Sequence, residues 1–75
     1  MTDPKKILAE NLRRLRTSAG LSQEELADRA GLHRTYVSSV ERAQRNVTLE
    51  NVFALAKALG TTPSELVRLP DEGGQ

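Results

Sequence analysis

Apolar residues recur along this chain at helical spacing, and no stretch alternates polar and apolar residues for long enough to make a strand. Leu8, Leu12, Leu15 and Ala19 share one face of a first predicted helix. Asp3-Pro4 opens it with an N-cap and a proline at the first helical position, and Gly20 closes it. Ser22-Gln23-Glu24-Glu25 reads as a capping box, in which serine accepts from the backbone at Glu25 while Glu25 reaches back. The second helix runs from there to Gly31, a suitable left-handed residue. A third is predicted over about 33–42. A fourth, capped by Thr48, runs through Leu49, Val52, Ala56 and Leu59 to Gly60. Thr62-Pro63-Ser64-Glu65 reads as a second capping box and starts a short fifth helix. The final segment, 70–75, has no means of packing and is expected to be a flexible tail. The pattern is all-α: five short helices in one domain over 1–69, without repeats.

Seventy-five residues allow one modest core. With no cysteine, neither disulfides nor thiolate-bound metal can supplement it, and the lone His33 cannot build a metal site. No apolar run approaches the roughly 18 residues of a membrane span, and no signal-peptide pattern opens the chain, so a cytoplasmic location is expected. The net charge of +1 is unevenly spread. Residues 29–45 carry Arg29, Arg34, Arg42 and Arg45 against Glu41 alone, whereas residues 46–75 are net acidic. A local basic excess suits a protein that meets a polyanion on one side.

Two helices joined at Gly31 form the informative unit. Ala27 precedes the glycine by four residues and Val37 follows it by six. A helix-turn-helix needs a small residue where its helices cross, glycine at the bend and a buried branched residue on the second helix. Leu26, Leu32 and Val40 supply further apolar contacts, and no proline interrupts the unit. On a helical wheel, Val37, Val40 and Glu41 face the core, while Thr35, Ser38, Ser39 and Arg42 face outward with Arg34 and Tyr36 on the flanks. That outward face bears small hydroxyls and arginines but no acid. Small side chains let a helix sit deep in the major groove of DNA, and arginine can bond guanine O6 and N7 together. His33 can cap this helix or touch a phosphate. A carboxylate facing the core needs a partner, and Arg16, at the edge of the first helix's core face, is the candidate for an ion pair with Glu41.

Leu21-Ser-Gln-Glu-Glu-Leu-Ala27, Gly31 and Val40-Glu41-Arg42 resemble the lambda-repressor-like, Cro/C1-type helix-turn-helix family, over roughly residues 7–67. The run His33 to Arg42, with Arg45-Asn46 and Thr48, is similar more narrowly to the controller proteins of restriction–modification systems. The resemblance implies a sequence-specific, operator-binding homodimer acting on double-stranded DNA, with RNA polymerase as a further partner and no cofactor. It implies that Gln23 touches a phosphate or base, that Arg34, Thr35 and Ser39 reach base edges, and that Tyr36, Arg45, Asn46 and Thr48 contact the DNA backbone. This chain departs from near family members at His33, where Asp is frequent, and at Ala43, where Gly is frequent.

The fourth and fifth helices carry more apolar surface than one small core needs, which points to a two-fold interface involving Phe53, Leu55, Leu66, Val67 and Leu69. Such a dimer would set two recognition helices about 34 Å apart, one DNA turn. The other readings are a stand-alone phage-type or bacterial repressor, and an antitoxin-type regulator that binds a partner protein. No constellation for catalysis is present: there is no Cys, no second His and no glycine-rich phosphate loop.

Overall fold

Short-range chemistry sets most of the helix boundaries. The computed structural model describes residues 3–70, which contain α1 (Pro4–Ser18), α2 (Gln23–Ala30), α3 (Arg34–Glu41), α4 (Leu49–Leu59) and α5 (Pro63–Leu66), and no strand. Asp3 accepts from the Lys5 amide and Pro4 begins α1. Ser22 and Glu25 form a reciprocal capping box at α2, and Thr48 accepts from the Asn51 amide at α4. The backbone and hydroxyl of Ser22, with Arg29 nearby, hold the Glu25 carboxyl below its ordinary value, against slight desolvation. The ionised box therefore stabilises the fold above the unfolded carboxylate range, and that contribution fades as pH falls through the lower folded-state value.

The second capping box does not form. Thr62 holds the N-cap position of α5 but its side chain caps no backbone N–H, pairing instead with the Ser64 hydroxyl at 2.9 Å. Pro63 at the first helical position is the local signal that remains. The N-cap of α3 is His33, which also makes no side-chain cap. That helix is held by what packs around it. The tail expected at 70–75 falls, from residue 71 onward, outside the described residues.

Helices α1 to α4 all end in the same turn, in which a left-handed residue lets two amides return to the last helical carbonyls. At α2, Gly31 N–H reaches Asp28 O and Leu32 N–H reaches Ala27 O at 2.8 Å. The left-handed residue is glycine at 20, 31 and 60, but alanine at 43, with φ of 60°. The bend after α3 is thus kept without glycine, at a conformational cost.

The core draws on every helix: Leu8 and Leu12, Leu26 and Ala27, Val37 and Val40, Val52, Leu55 and Ala56, and Leu66, closed by Leu21. Leu55 and Leu66 are fully buried within this single chain and are not available to a second subunit, which corrects their assignment to a dimer face. The cause is the return of α5 across the bundle: Asn11 on α1 donates to both Leu66 O and Arg68 O at 2.9 Å, tying the C-terminal turn down. Among the described residues, the large apolar side chains left exposed are Leu49, Phe53, Val67 and Leu69. No helix among the described residues is long and apolar enough to cross a membrane.

Since an L-residue in the left-handed region costs about 1 kcal/mol relative to glycine, Ala43→Gly should stabilise the protein by about that amount. Urea denaturation reads the change; a variant no more stable than wild type would mean that the turn after α3 carries no strain.

Candidate nucleic-acid interface

The outer side of α3 is made basic by removing its one acid from solvent. Glu41 ends α3 with its side chain only 2% exposed. Arg16 of α1 meets it in a fork, Nε to Oε2 at 2.6 Å and Nη2 to Oε1 at 3.0 Å, while Nη1 donates to Leu21 O at 2.8 Å. Gln23, at the start of α2, donates through Nε2 to Glu41 Oε1 at 3.0 Å. Arg13 donates to the Glu41 backbone carbonyl at 3.0 Å, bringing a cation to the C-terminal end of α3. Hydrogen bonding to Glu41 raises the Arg16 pKa further above its ordinary value, against partial burial, so the guanidinium stays charged. A buried carboxylate with donors from two other helices is a satisfied one, and among the described residues no buried side-chain polar atom lacks a partner.

With Glu41 withdrawn, residues 33–48 present no acid to solvent. Arg34 and Thr35, in the first turn of α3, are exposed, and Arg34 enters no ion pair among the described residues. His33 precedes them, exposed. Arg42, just past the helix, is oriented by Ser38 Oγ and by Gln44 Oε1 at 3.2 Å. Arg45 stacks over the Tyr36 ring, 5.4 Å from its centroid, and Asn46 and Thr48 follow, both exposed. Thr48 Oγ1 is engaged in capping α4, which leaves its O–H to donate elsewhere.

Two expectations change here. Ser39 does not face outward: it is 7% exposed, donates to Tyr36 O at 2.8 Å and accepts from Arg45 Nε at 3.1 Å. The turn after α3 folds back over it, as the bond from Gln44 N–H to Ser39 O shows. Ser39 is therefore a support for Arg45 and not a reader of base edges. Gln23 is half-buried with its amide N–H turned to Glu41, so a contact with DNA would have to use its remaining donor or its carbonyl oxygen.

Residues that the sequence did not single out complete the site. Asn51 of α4 donates to Tyr36 Oη at 3.0 Å, and Arg13 closes the end of α3. Both lie far from α3 in the chain, and neither belongs to a recognisable local pattern. Among the described residues no cluster of His, Asp or Glu could hold a metal ion.

Comparison with known proteins places the chain in a family and shows its fold in solved structures. Residues 12–66 match the family described as helix-turn-helix. The control protein C.SmaI of Serratia marcescens is 57% identical over 65 residues, spanning 87% of this chain and 77% of that protein. Among solved structures, the restriction-modification controller protein C.AhdI from Aeromonas hydrophila superposes with a TM-score of 0.81 at 53% identity, covering 83% of this chain and 94% of that one. A hypothetical transcription factor from Neisseria, NHTF, superposes with a TM-score of 0.87 at 47% identity, over 91% of this chain and 78% of its own.

Removing Arg16 strands a carboxylate that three helices enclose. Arg16→Met should cost about 3 kcal/mol in urea denaturation, and Arg16→Met with Glu41→Leu should recover most of that loss, because an apolar pair needs no solvation. A double variant as weak as the single one would mean that the fork, and not the isolated charge, sets the stability.

Proposed function

The chain belongs to the helix-turn-helix family, and from that premise we propose that it is a sequence-specific DNA-binding regulator of transcription, of the restriction–modification controller kind, that binds operator DNA as a homodimer. The observation that carries this reading is the exposed, acid-free first turn of α3, with Arg34 and Thr35 open to solvent and Glu41 paired with Arg16 beneath. Seated in a major groove, Arg34 can donate twice to a guanine edge, and Thr35 can bond a base or pack on a thymine methyl group. His33, Tyr36, Ser38, Arg42, Arg45, Asn46 and Thr48 then lie at the groove walls, where cations and N–H or O–H donors meet phosphates. Gln23 adds a donor at the start of α2. Relatives are named as a control protein and an HTH-type transcriptional regulator, which supports this reading.

Phe53, Val67 and Leu69, joined by Leu49, form the dimer face of this proposal. They are 54–71% exposed, too much apolar surface to leave in water without a purpose. Leu49 and Phe53 stand one turn apart on α4, so both point the same way. The domain spans 1–69. It acts in the cytoplasm, and where the bound dimer activates transcription, RNA polymerase is its further partner.

Selection from random duplexes should return a two-fold symmetric site with half-sites one DNA turn apart. On that site, Arg34→Ala should cost about 1–3 kcal/mol and relax preference at one base pair. Arg45→Ala should instead weaken all duplexes alike and lower the slope of log affinity against log salt by about one. Equal losses on selected and scrambled DNA for Arg34→Ala would count against direct reading by that side chain.

Phe53→Lys should shift the protein from dimer to monomer in sedimentation while leaving its helical content intact. An unchanged dimer would place the interface elsewhere.

A further inference from the structure

Asn51 stands on α4, outside the two helices that would enter and cross the groove, yet its amide is committed to Tyr36. The Nδ2 donates to Tyr36 Oη at 3.0 Å, and both residues are half-buried. Asn51 is itself held, because its backbone N–H donates to Thr48 Oγ1 at 3.1 Å. The ring is fixed independently: Arg45 lies over it at 5.4 Å, and Arg45 is anchored by the buried Ser39. A phenol has one O–H and two lone pairs. With one lone pair taken by the Asn51 N–H, the phenol's own hydrogen cannot point at that nitrogen and must turn outward.

We propose that Asn51 is a positioning residue that fixes the polarity of the Tyr36 phenol, so that Tyr36 meets the duplex as a hydrogen-bond donor seeking an acceptor atom. The inference rests on the reading of α3 as the DNA-binding element. It adds that α4, the helix carrying the exposed Leu49 and Phe53, also sets the chemistry of one groove contact. Acceptors of the required kind are phosphate oxygens and the O6, N7 or O4 atoms of bases, any of which can take the outward-turned O–H.

The test is a double-mutant cycle on a duplex that the wild-type protein selects from a random pool, with a scrambled duplex alongside. Asn51→Ala should weaken binding to the selected duplex by roughly three- to tenfold, the worth of one hydrogen bond. In the Tyr36→Phe background the same substitution should change affinity by less than about twofold, since the group it acts through is gone. Asn51→Asp keeps the shape but can only accept, turning the phenol hydrogen inward. It should bind more weakly than Asn51→Ala, by more than it loses in the Tyr36→Phe background. Thermal melting confirms that each variant is folded at the assay temperature.

Equal losses for Asn51→Ala in both backgrounds would reduce Asn51 to a structural role, and Asn51→Asp binding as tightly as wild type would reverse the assigned polarity. Either result overturns the inference while leaving the functional reading intact. Wild-type protein that selects no sequence and binds neither duplex would sink both. A coupled loss of the same size on the selected and scrambled duplexes identifies a phosphate as the acceptor, and a loss tied to one base pair identifies a base. Both support the proposal.

Discussion

A single buried carboxylate organises this protein. Glu41 closes α3 inside the molecule and is satisfied by side chains from α1 and α2, so the three helices meet at one charged point. A buried ion costs several kcal/mol to desolvate and regains that only with its partners in place. Arg16 must therefore stand where it does, and so must the start of α2 through Gln23. An apolar residue at 41 would tolerate small rotations of α3 about its axis; a forked ion pair does not. The orientation of α3, and with it the face that reaches outward, follows from this constraint.

The same pair has an electrostatic consequence. Glu41 is the one acid between Arg29 and Glu50. Burying it against Arg16 leaves Arg34, Arg42 and Arg45 as the charges seen from that side. The stabilising contact and the positive outer face thus arise from one arrangement. Around it, the arginines are not loose: Arg42 is held by Ser38 and Gln44, and Arg45 by Ser39 and the Tyr36 ring. Holding long side chains in place before binding lowers the entropy cost of ordering them on a partner. Arg34, in contrast, enters no ion pair among the described residues and keeps its freedom of geometry.

Much of the fold was legible along the chain because its signals act over three or four residues. Asp3-Pro4, the Ser22–Glu25 box, Thr48, and the glycines at 31 and 60 each set a helix end through bonds to near neighbours. The small Ala27, buried beside Gly31, and the buried Val37 and Val40 follow from what two closely crossing helices require. The core-facing position of Glu41 was readable from its register with Val37, and Arg16 lay within reach on the opposing face of α1. Exposure of Arg34 and Thr35 followed from the same wheel.

What tertiary structure alone decided is which surfaces other segments cover. Periodicity assigns Ser39 to the outer half of a wheel, but the chain folds back after α3 and buries it under Arg45. Leu55 and Leu66 look like surplus beside Phe53, yet the return of α5 onto α1, secured by Asn11, makes them core. Asn51 and Arg13 reach α3 across separations of 15 and 28 residues, where no local pattern records the contact. Helix ends are written in the sequence because capping is a short-range hydrogen bond between near neighbours. Burial is not, because it depends on where distant segments come to rest once the whole chain has packed.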